Sequence, residues 1–181
     1  GLGIIRSAEE VNPLAQEVEN AAGVMLVPAF TGWGTPHWDP TARGLLIGLT
    51  RDTRRGHIAR AALEGIALSV ASLVELAEQA MEQSLGELAV DGGAAASDLL
   101  LQAQADSTGL NVRRPVHLES TARGVALLAG LQAGAIADLK DLVPNRSQDS
   151  RGFKPLQTLE QRQCWLQRWN DAVTRSLHWN G

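Results

Sequence analysis

The sequence predicts an α/β fold in one domain that spans residues 1–181. Short apolar runs that end at proline or glycine alternate with longer segments in which apolar residues recur every three or four positions. The first pattern is typical of buried strands and the second of amphipathic helices, and their alternation indicates the α/β class. Hydrophobic residues make up 44% of the chain, which suffices for a core and excludes a wholly disordered protein.

Two strand signals in the first third of the chain stand on either side of a long loop. Residues 24–27, Val-Met-Leu-Val, end at Pro28 and predict a buried strand. Residues 44–49, Gly-Leu-Leu-Ile-Gly-Leu, predict a second strand. Residues 30–43 contain glycines, prolines and two tryptophans, a composition that forbids a helix and predicts a loop.

Helix signals flank these strands. A capping-box pattern at residues 7–10 and the pair Asn12-Pro13 both predict a helix start near the beginning of the chain. After the second strand, residues 53–83 carry an apolar stripe at helical spacing, formed by Ile58, Ala62, Ile66, Val70, Leu73 and Ala77. Gly65 interrupts this long helix at a cost of about 1 kcal/mol relative to alanine, which predicts that another element packs close to it.

The second half of the chain predicts two further strands and three helices. The strands are residues 88–90 and 111–114, and the helices are residues 97–108, 122–134 and 158–178. Gly109 closes the first of these helices, and Ser120 with Thr121 caps the second. Residues 140–153 are polar and predict a loop. The buried stripe of the last helix is Trp165, Trp169, Ala172, Val173, Ser176 and Leu177.

Charge and cysteine content exclude several functional classes. The net charge is −4, and a nucleic-acid-binding domain usually has a basic excess. The single cysteine, Cys164, allows neither an internal disulfide nor a cysteine zinc cluster. The sequence has no run of 18 apolar residues and no signal-peptide pattern at its start, so we expect no membrane span and a cytoplasmic location. The chain begins without methionine, in what reads as the tail of an earlier element, so we expect a fragment of a longer protein.

The strongest candidate site is the segment Asp-Gly-Gly-Ala-Ala-Ala-Ser at residues 91–97. It follows a predicted strand and opens a predicted helix, where ligands of open α/β sheets bind. Gly92 and Gly93 let backbone approach a ligand, and a helix start offers N–H groups to an anion. A nucleotide is one interpretation, and a tight turn that binds nothing is the other. The segment is neither a Walker A loop nor a GxGxxG loop.

The other candidates have simpler structural explanations. The tryptophans of the loop at residues 30–43 favour packing onto the core over stacking on a ligand. The four histidines are scattered and lack metal-ligand spacing, so no metal-binding residue is predicted. Glu64 is interpreted as a helix-packing residue and Cys164 as a core filler.

Four segments together resemble the FGGY family of carbohydrate kinases. They are PAFTGWGTPHWDP at residues 28–40 with Ala42-Arg43-Gly44, the stretch of residues 44–64, VDGGA at residues 90–94 with Gln102 and Asp106 downstream, and TARGVA at residues 121–126. Their order and distances agree with the family from about residue 2 to residue 173. The first segment is similar to a loop specific to the glycerol kinases within this family.

The resemblance implies the C-terminal half of a two-domain kinase, with a ribonuclease-H-like, actin-type ATPase fold built on a mixed sheet flanked by helices. The implied reaction transfers the γ-phosphoryl group of ATP, with Mg²⁺, to glycerol and gives sn-glycerol 3-phosphate. Gly92, Gly93, Ala94 and Ser97 match the family's ATP-binding positions; asparagine is common at the last of these in bacterial glycerol kinases. The family's catalytic and glycerol-binding residues lie upstream of Gly1, so no catalytic residue is assigned and the isolated chain is expected to be inactive.

The resemblance also implies partners and leaves alternatives open. The partners are ATP, glycerol, an N-terminal domain of the same protein and further copies in a dimer or tetramer. Gln161 stands where some members carry a glutamate that shares a metal with a regulatory protein, so that partner is not predicted. The alternatives are a kinase of the same family for another polyol or sugar, and a nucleotide-binding module without catalysis.

Overall fold

The computed structural model describes residues 3–138 and 150–179 of the chain. The helices are α1 (Val11–Gln16), α2 (Arg55–Met81), α3 (Asp98–Thr108), α4 (Ser120–Gln132) and α5 (Leu159–Ser176). The strands are β1 (Met25–Val27), β2 (Leu45–Ile47), β3 (Glu87–Ala89), β4 (Asn111–Pro115) and β5 (Ser150–Phe153). Two short 3-10 helices, Ala8–Glu10 and Gly93–Ala96, precede α1 and α3.

The strands form two sheets. β1 and β2 pair antiparallel, with Leu26 opposite Leu46. β3, β4 and β5 form a mixed sheet in that order, in which β3 and β4 are parallel and β4 and β5 antiparallel. The α/β class and the mixed sheet flanked by helices are therefore confirmed. The carboxyl ends of β3 and β4 meet at one edge of this sheet, and the glycine segment begins there.

The long helix α2 holds the two sheets together, since it packs against α1, α3 and β1. Its buried positions are mostly alanine, glycine and leucine, which lets neighbouring backbone come close. At Gly65 an added Cβ would lie only 2.1 Å from the carbonyl oxygen of Leu26 in β1. The sequence-based prediction of a close neighbour at this glycine is confirmed.

By length and composition α2 could also cross a membrane, whereas the sequence analysis predicted no span. Of its apolar window, 44% is buried inside the protein. One such helix is weak evidence for a span, because the core helix of a globular protein passes the same test.

The helix α5 closes the core from the other side. Trp169 is 1% exposed, and its indole Nε1 donates a hydrogen bond to Ser72 Oγ on α2 over 3.1 Å. Ala172, Val173 and Ser176 are also buried, as predicted, whereas Trp165 and Leu177 are only partly buried. Thr158 caps α5 by accepting a hydrogen bond from the N–H of Gln161.

Four local predictions are wrong. Ser7 makes no side-chain cap, and Asn12 lies inside α1 instead of capping it. The N-cap of α4 is Glu119, and no side chain caps that helix, so Ser120 and Thr121 do not have the predicted role. Residues 150–153 of the predicted loop form β5, because they pair with β4; residues 140–149 lie outside the described residues.

Candidate functional site

The candidate site is the glycine turn, residues 92–96, at the carboxyl end of β3. Gly92 has a φ of +81°, in the left-handed region that favours glycine. Its N–H donates to the carbonyl oxygen of Leu118 over 2.8 Å, which ties the turn to the segment after β4. A Cβ added at Gly92 or Gly93 would meet nothing within 4 Å, so this face of the turn is open.

The glycine turn presents backbone donors to solvent. Gly93 and Ala94 are exposed, and among the hydrogen bonds of the described residues none is donated by either N–H group. Unpaired N–H groups on an exposed surface are available to a polar ligand. The sequence analysis expected α3 to follow the glycines directly; a 3-10 helix, Gly93–Ala96, intervenes and α3 begins at Asp98.

Ser97 lies beneath the glycine turn and not on its open face. The side chain is buried, and Oγ accepts a hydrogen bond from the N–H of Leu100 over 3.1 Å, which caps α3. The same hydroxyl donates to Oδ1 of Asn12 on α1. Because the Asn12 bond uses the hydroxyl proton, Ser97 could donate to a nucleotide only if that bond broke. The nucleotide contact of Ser97 stays a prediction, and in this structure its side chain caps α3 directly after the turn.

Two arginines that sequence reasoning missed lie behind the glycine turn. Arg114 Nη1 on β4 donates to Ala95 O over 2.9 Å and to Ala96 O over 3.3 Å, and it pairs with Asp98 over 2.8 Å. Arg151 on β5 holds the other carboxylate oxygen of Asp98 at 2.7 Å. A cavity of about 320 Å³ adjoins both arginines and Ala96. Only the register of β4 with β5, which places Arg114 opposite Arg151, shows that both arginines lie beside Asp98.

A larger cavity of about 650 Å³ lies between α2, α3 and α5 and includes none of residues 92–97. Glu64 lines it, and burial raises the pKa of this carboxyl, while Arg60, at 2.8 Å, opposes that effect. The ion pair lies within α2 itself, so it does not decide between a helix-packing residue and a buried acid, and the helix-packing interpretation of Glu64 stays a prediction. Cys164 also lines this cavity and is exposed, so its prediction as a core filler is wrong.

The loop at residues 30–43 is held against the end of α5. Trp33 packs on the core and donates from Nε1 to Ser176 Oγ, as the core-packing interpretation predicted. Trp38, by contrast, is 75% exposed. Asp39 accepts hydrogen bonds from Thr41 and from the N–H of His178, and these lower the pKa of its carboxyl to about 2, with the Thr41 hydroxyl as the largest cause.

No group of three or more histidine, cysteine, aspartate or glutamate side chains among residues 3–138 and 150–179 could hold a metal ion. The acidic residues nearest the glycine turn are Asp91 and Asp98. Asp98 is already paired with two arginines. The described residues therefore do not form a Mg²⁺ site of their own.

Comparison with known proteins gives consistent matches. The model of the FGGY family of carbohydrate kinases, C-terminal domain, matches residues 3–133. The glycerol kinases of Dechloromonas aromatica and Aromatoleum aromaticum are each 50% identical over 179 residues, which cover 99% of this chain and 36% of each relative. The chain thus spans about a third of the length of the curated relatives it matches.

Solved structures agree with this assignment. The crystal structure of Plasmodium falciparum glycerol kinase with ADP matches 96% of this chain, and 35% of its own, with a TM-score of 0.83 and 31% identity. The xylulose kinase of Lactobacillus acidophilus matches 96% of this chain, and 35% of its own, with a TM-score of 0.70 at 20% identity, which shows the fold alone. The chain belongs to the FGGY family of carbohydrate kinases and matches the C-terminal domain of that family.

Proposed function

We propose that this chain is the nucleotide-binding domain of a glycerol kinase, which transfers the γ-phosphoryl group of ATP to glycerol to give sn-glycerol 3-phosphate. The observation that carries the proposal is the open glycine turn at the carboxyl edge of the mixed sheet. Its two glycines leave clear space, and the N–H groups of two exposed residues donate no hydrogen bond within the described part of the chain. The identity of 50% to glycerol kinases over nearly the whole chain supports the choice of substrate.

In this function the chain binds and positions the phosphoryl donor. The residues proposed to bind ATP are Gly92, Gly93 and Ala94, through their backbone and the clear space beside them, with Ser97 fixing the turn from beneath. Phosphoryl transfer depends chiefly on positioning and charge neutralisation, so a rigid wall for the nucleotide is a useful contribution. We propose that residues 1–181 fold as one domain that forms this wall.

The remaining chemistry belongs to polypeptide outside this chain. Phosphoryl transfer needs a group that accepts the proton of the attacking hydroxyl, and Mg²⁺ would neutralise the phosphate charge. The described residues form no metal site, so we derive no step through Mg²⁺. We propose that an N-terminal domain supplies these parts, that the isolated chain has no kinase activity, and that the complete protein is a cytoplasmic homo-oligomer, dimer or tetramer.

Two alternatives remain, and each makes a different prediction. A kinase for another polyol or sugar would prefer xylulose or gluconate over glycerol. The loop at residues 28–40 and the identity to glycerol kinases disfavour it. A nucleotide-binding module without catalysis would bind ATP but give no turnover when an N-terminal half is supplied.

The test uses a chimera in which this chain replaces the matching 179 residues of the Dechloromonas aromatica glycerol kinase. We expect glycerol-dependent ADP release from the chimera and none from the chain alone. Turnover on xylulose or gluconate but not on glycerol would refute the substrate, and ATP binding without turnover would favour the non-catalytic alternative.

The site is tested by Gly93→Trp, with Gly86→Trp as the matched control, because a Cβ has free space at both positions. Gly86 precedes β3 at the opposite end of the strand. We expect the indole at position 93 to block ATP and the one at position 86 to leave ATP affinity unchanged. Unchanged affinity in both variants would rule out the glycine turn as the nucleotide site.

A further inference from the structure

Arg114 holds the carbonyl end of the glycine turn. Its Nη1 donates to the carbonyl oxygens of Ala95 and Ala96, at 2.9 and 3.3 Å, and contacts Oδ1 of Asp98 at 2.8 Å. The side chain is 16% exposed. Hydrogen bonds from a charged donor are among the stronger ones in proteins, so this contact restrains the backbone just after the open face.

Arg114 is itself held in place by the strands. Its register partner Arg151 binds the second carboxylate oxygen of Asp98 at 2.7 Å, so one carboxylate joins both guanidinium groups. Both guanidinium groups also lie over the ring of Phe153, at 5.5 and 5.0 Å from its centre. A side chain with these contacts has few alternative positions, which makes it suited to fix backbone geometry.

We propose that Arg114 is a positioning residue for the nucleotide. It draws Ala95 O and Ala96 O toward β4, and the Gly92 N–H is drawn to Leu118 O at the other end of the turn. With both ends fixed, the exposed backbone of Gly93 and Ala94 keeps one conformation before a ligand arrives. Arg114 does not touch the nucleotide; it acts through the turn. This inference rests on the proposed function.

Arg113 is a matched control on the same strand. It is adjacent to Arg114, and its Nε pairs with Glu87 over 2.6 Å, so it also forms an arginine–carboxylate pair between neighbouring elements. Among the described residues, its side chain makes no hydrogen bond or ion pair with the glycine turn. Loss of either ion pair removes one charge, but only the Arg114 variant releases the turn.

The experiment measures steady-state kinetics of the chimera carrying Arg114→Gln or Arg113→Gln. Misplacement of a binding group by a fraction of an ångström has large effects, so we expect Arg114→Gln to raise the KM for ATP roughly tenfold. The KM for glycerol should stay within about twofold in both variants, since neither touches the acceptor site. Partial unfolding alone would lower kcat and leave both KM values unchanged, which separates positioning from stability. An unchanged KM for ATP in Arg114→Gln, or an equal rise in Arg113→Gln, would overturn the proposal.

Arg114→Lys keeps the experiment decisive if Arg114→Gln fails to fold. Lysine retains the charge, but its ammonium group lies on a flexible stem and is not held in a planar guanidinium, so it restrains the two carbonyls and the carboxylate less firmly. We expect an intermediate rise of about threefold in the KM for ATP; a wild-type value would overturn the proposal. Failure of the proposed function is distinguishable, because the chimera without these substitutions would then show no ATP-dependent shift of the Gly93 and Ala94 amide resonances.

Discussion

Replacing Gly65 by alanine tests how α2 and β1 fit together. The new Cβ would lie 2.1 Å from Leu26 O and 3.2 Å from the carbonyl carbon of Leu26. Ordinary contact requires more than 3 Å, so β1 or α2 must move by about 1 Å. Because the neighbour is backbone and not the end of a flexible side chain, we expect this overpacking to cost about 1–3 kcal/mol.

The intrinsic helix preference acts in the opposite direction. Alanine is better than glycine inside a helix by about 1 kcal/mol. At Gly124 in α4 an added Cβ meets nothing within 4 Å, so Gly124→Ala isolates this gain. We expect Gly124→Ala to raise the free energy of unfolding by up to ~1 kcal/mol. We expect Gly65→Ala, in which the overpacking cost outweighs the same gain, to lower it by about 1 kcal/mol net.

The assay is equilibrium unfolding in urea, followed by circular dichroism. With a slope of about 2 kcal/mol per molar urea, Gly65→Ala should lower the midpoint by about 0.5 M and Gly124→Ala should raise it by up to ~0.5 M. If Gly65→Ala is as stable as the unchanged chain, or shifts in the same direction as Gly124→Ala, then the contact between α2 and β1 is not as close as described and the reasoning is refuted.

Three further predictions concern buried groups, each checked by urea midpoints. The pKa of Asp39 is lowered from 3.8 to about 2, so its contribution to folding stability is present above about pH 4 and is lost as the pH falls toward 2. Asp39→Asn should flatten this loss of stability at acidic pH, and an unchanged profile of stability against pH would contradict the prediction. Burial raises the pKa of Glu64 above its ordinary value of 4.5. The contribution of this carboxyl to folding stability is therefore present below pH 4.5 and is lost as the pH rises through the folded-state pKa. In Glu64→Gln this pH dependence of stability should disappear. Trp169 is 1% exposed, and Trp169→Ala should cost about 3–5 kcal/mol, a loss below ~1 kcal/mol being the unexpected result.

The sequence revealed the regular elements well, because their signals are local. The helix α2 and the strand that ends before Pro28 were visible in the order of residues alone. The predicted apolar stripe of α2 is not its buried face, however, because none of its six residues is buried and Ile66 and Leu73 are exposed. Gly109 was predicted to end α3, and its φ of +74° agrees with that role. The strand β5 was missed because Ser-Arg-Gly-Phe has no apolar alternation; its pairing with β4 forms it.

The backbone turn of the candidate site was predictable from the sequence, but the side-chain contacts that hold the turn in place were not. Two adjacent glycines after a strand indicated a turn near a ligand. The contacts that hold the turn come from distant residues: Ser97 bonds Asn12, 85 positions away, and Arg114 reaches Ala95, 19 positions away. Such contacts depend on tertiary packing, which residue spacing does not encode. The exposed position of Cys164 was missed for the same reason.

The hydrogen bond between Ser97 and Asn12 couples the cap of α3 to the placement of α1. A ligand that accepts a hydrogen bond from the Ser97 hydroxyl would compete with Asn12 for its proton, and by reciprocity a displacement of α1 that withdraws Asn12 would free that proton for the ligand. The cap therefore ties the start of α3 to the position of α1 through one shared proton.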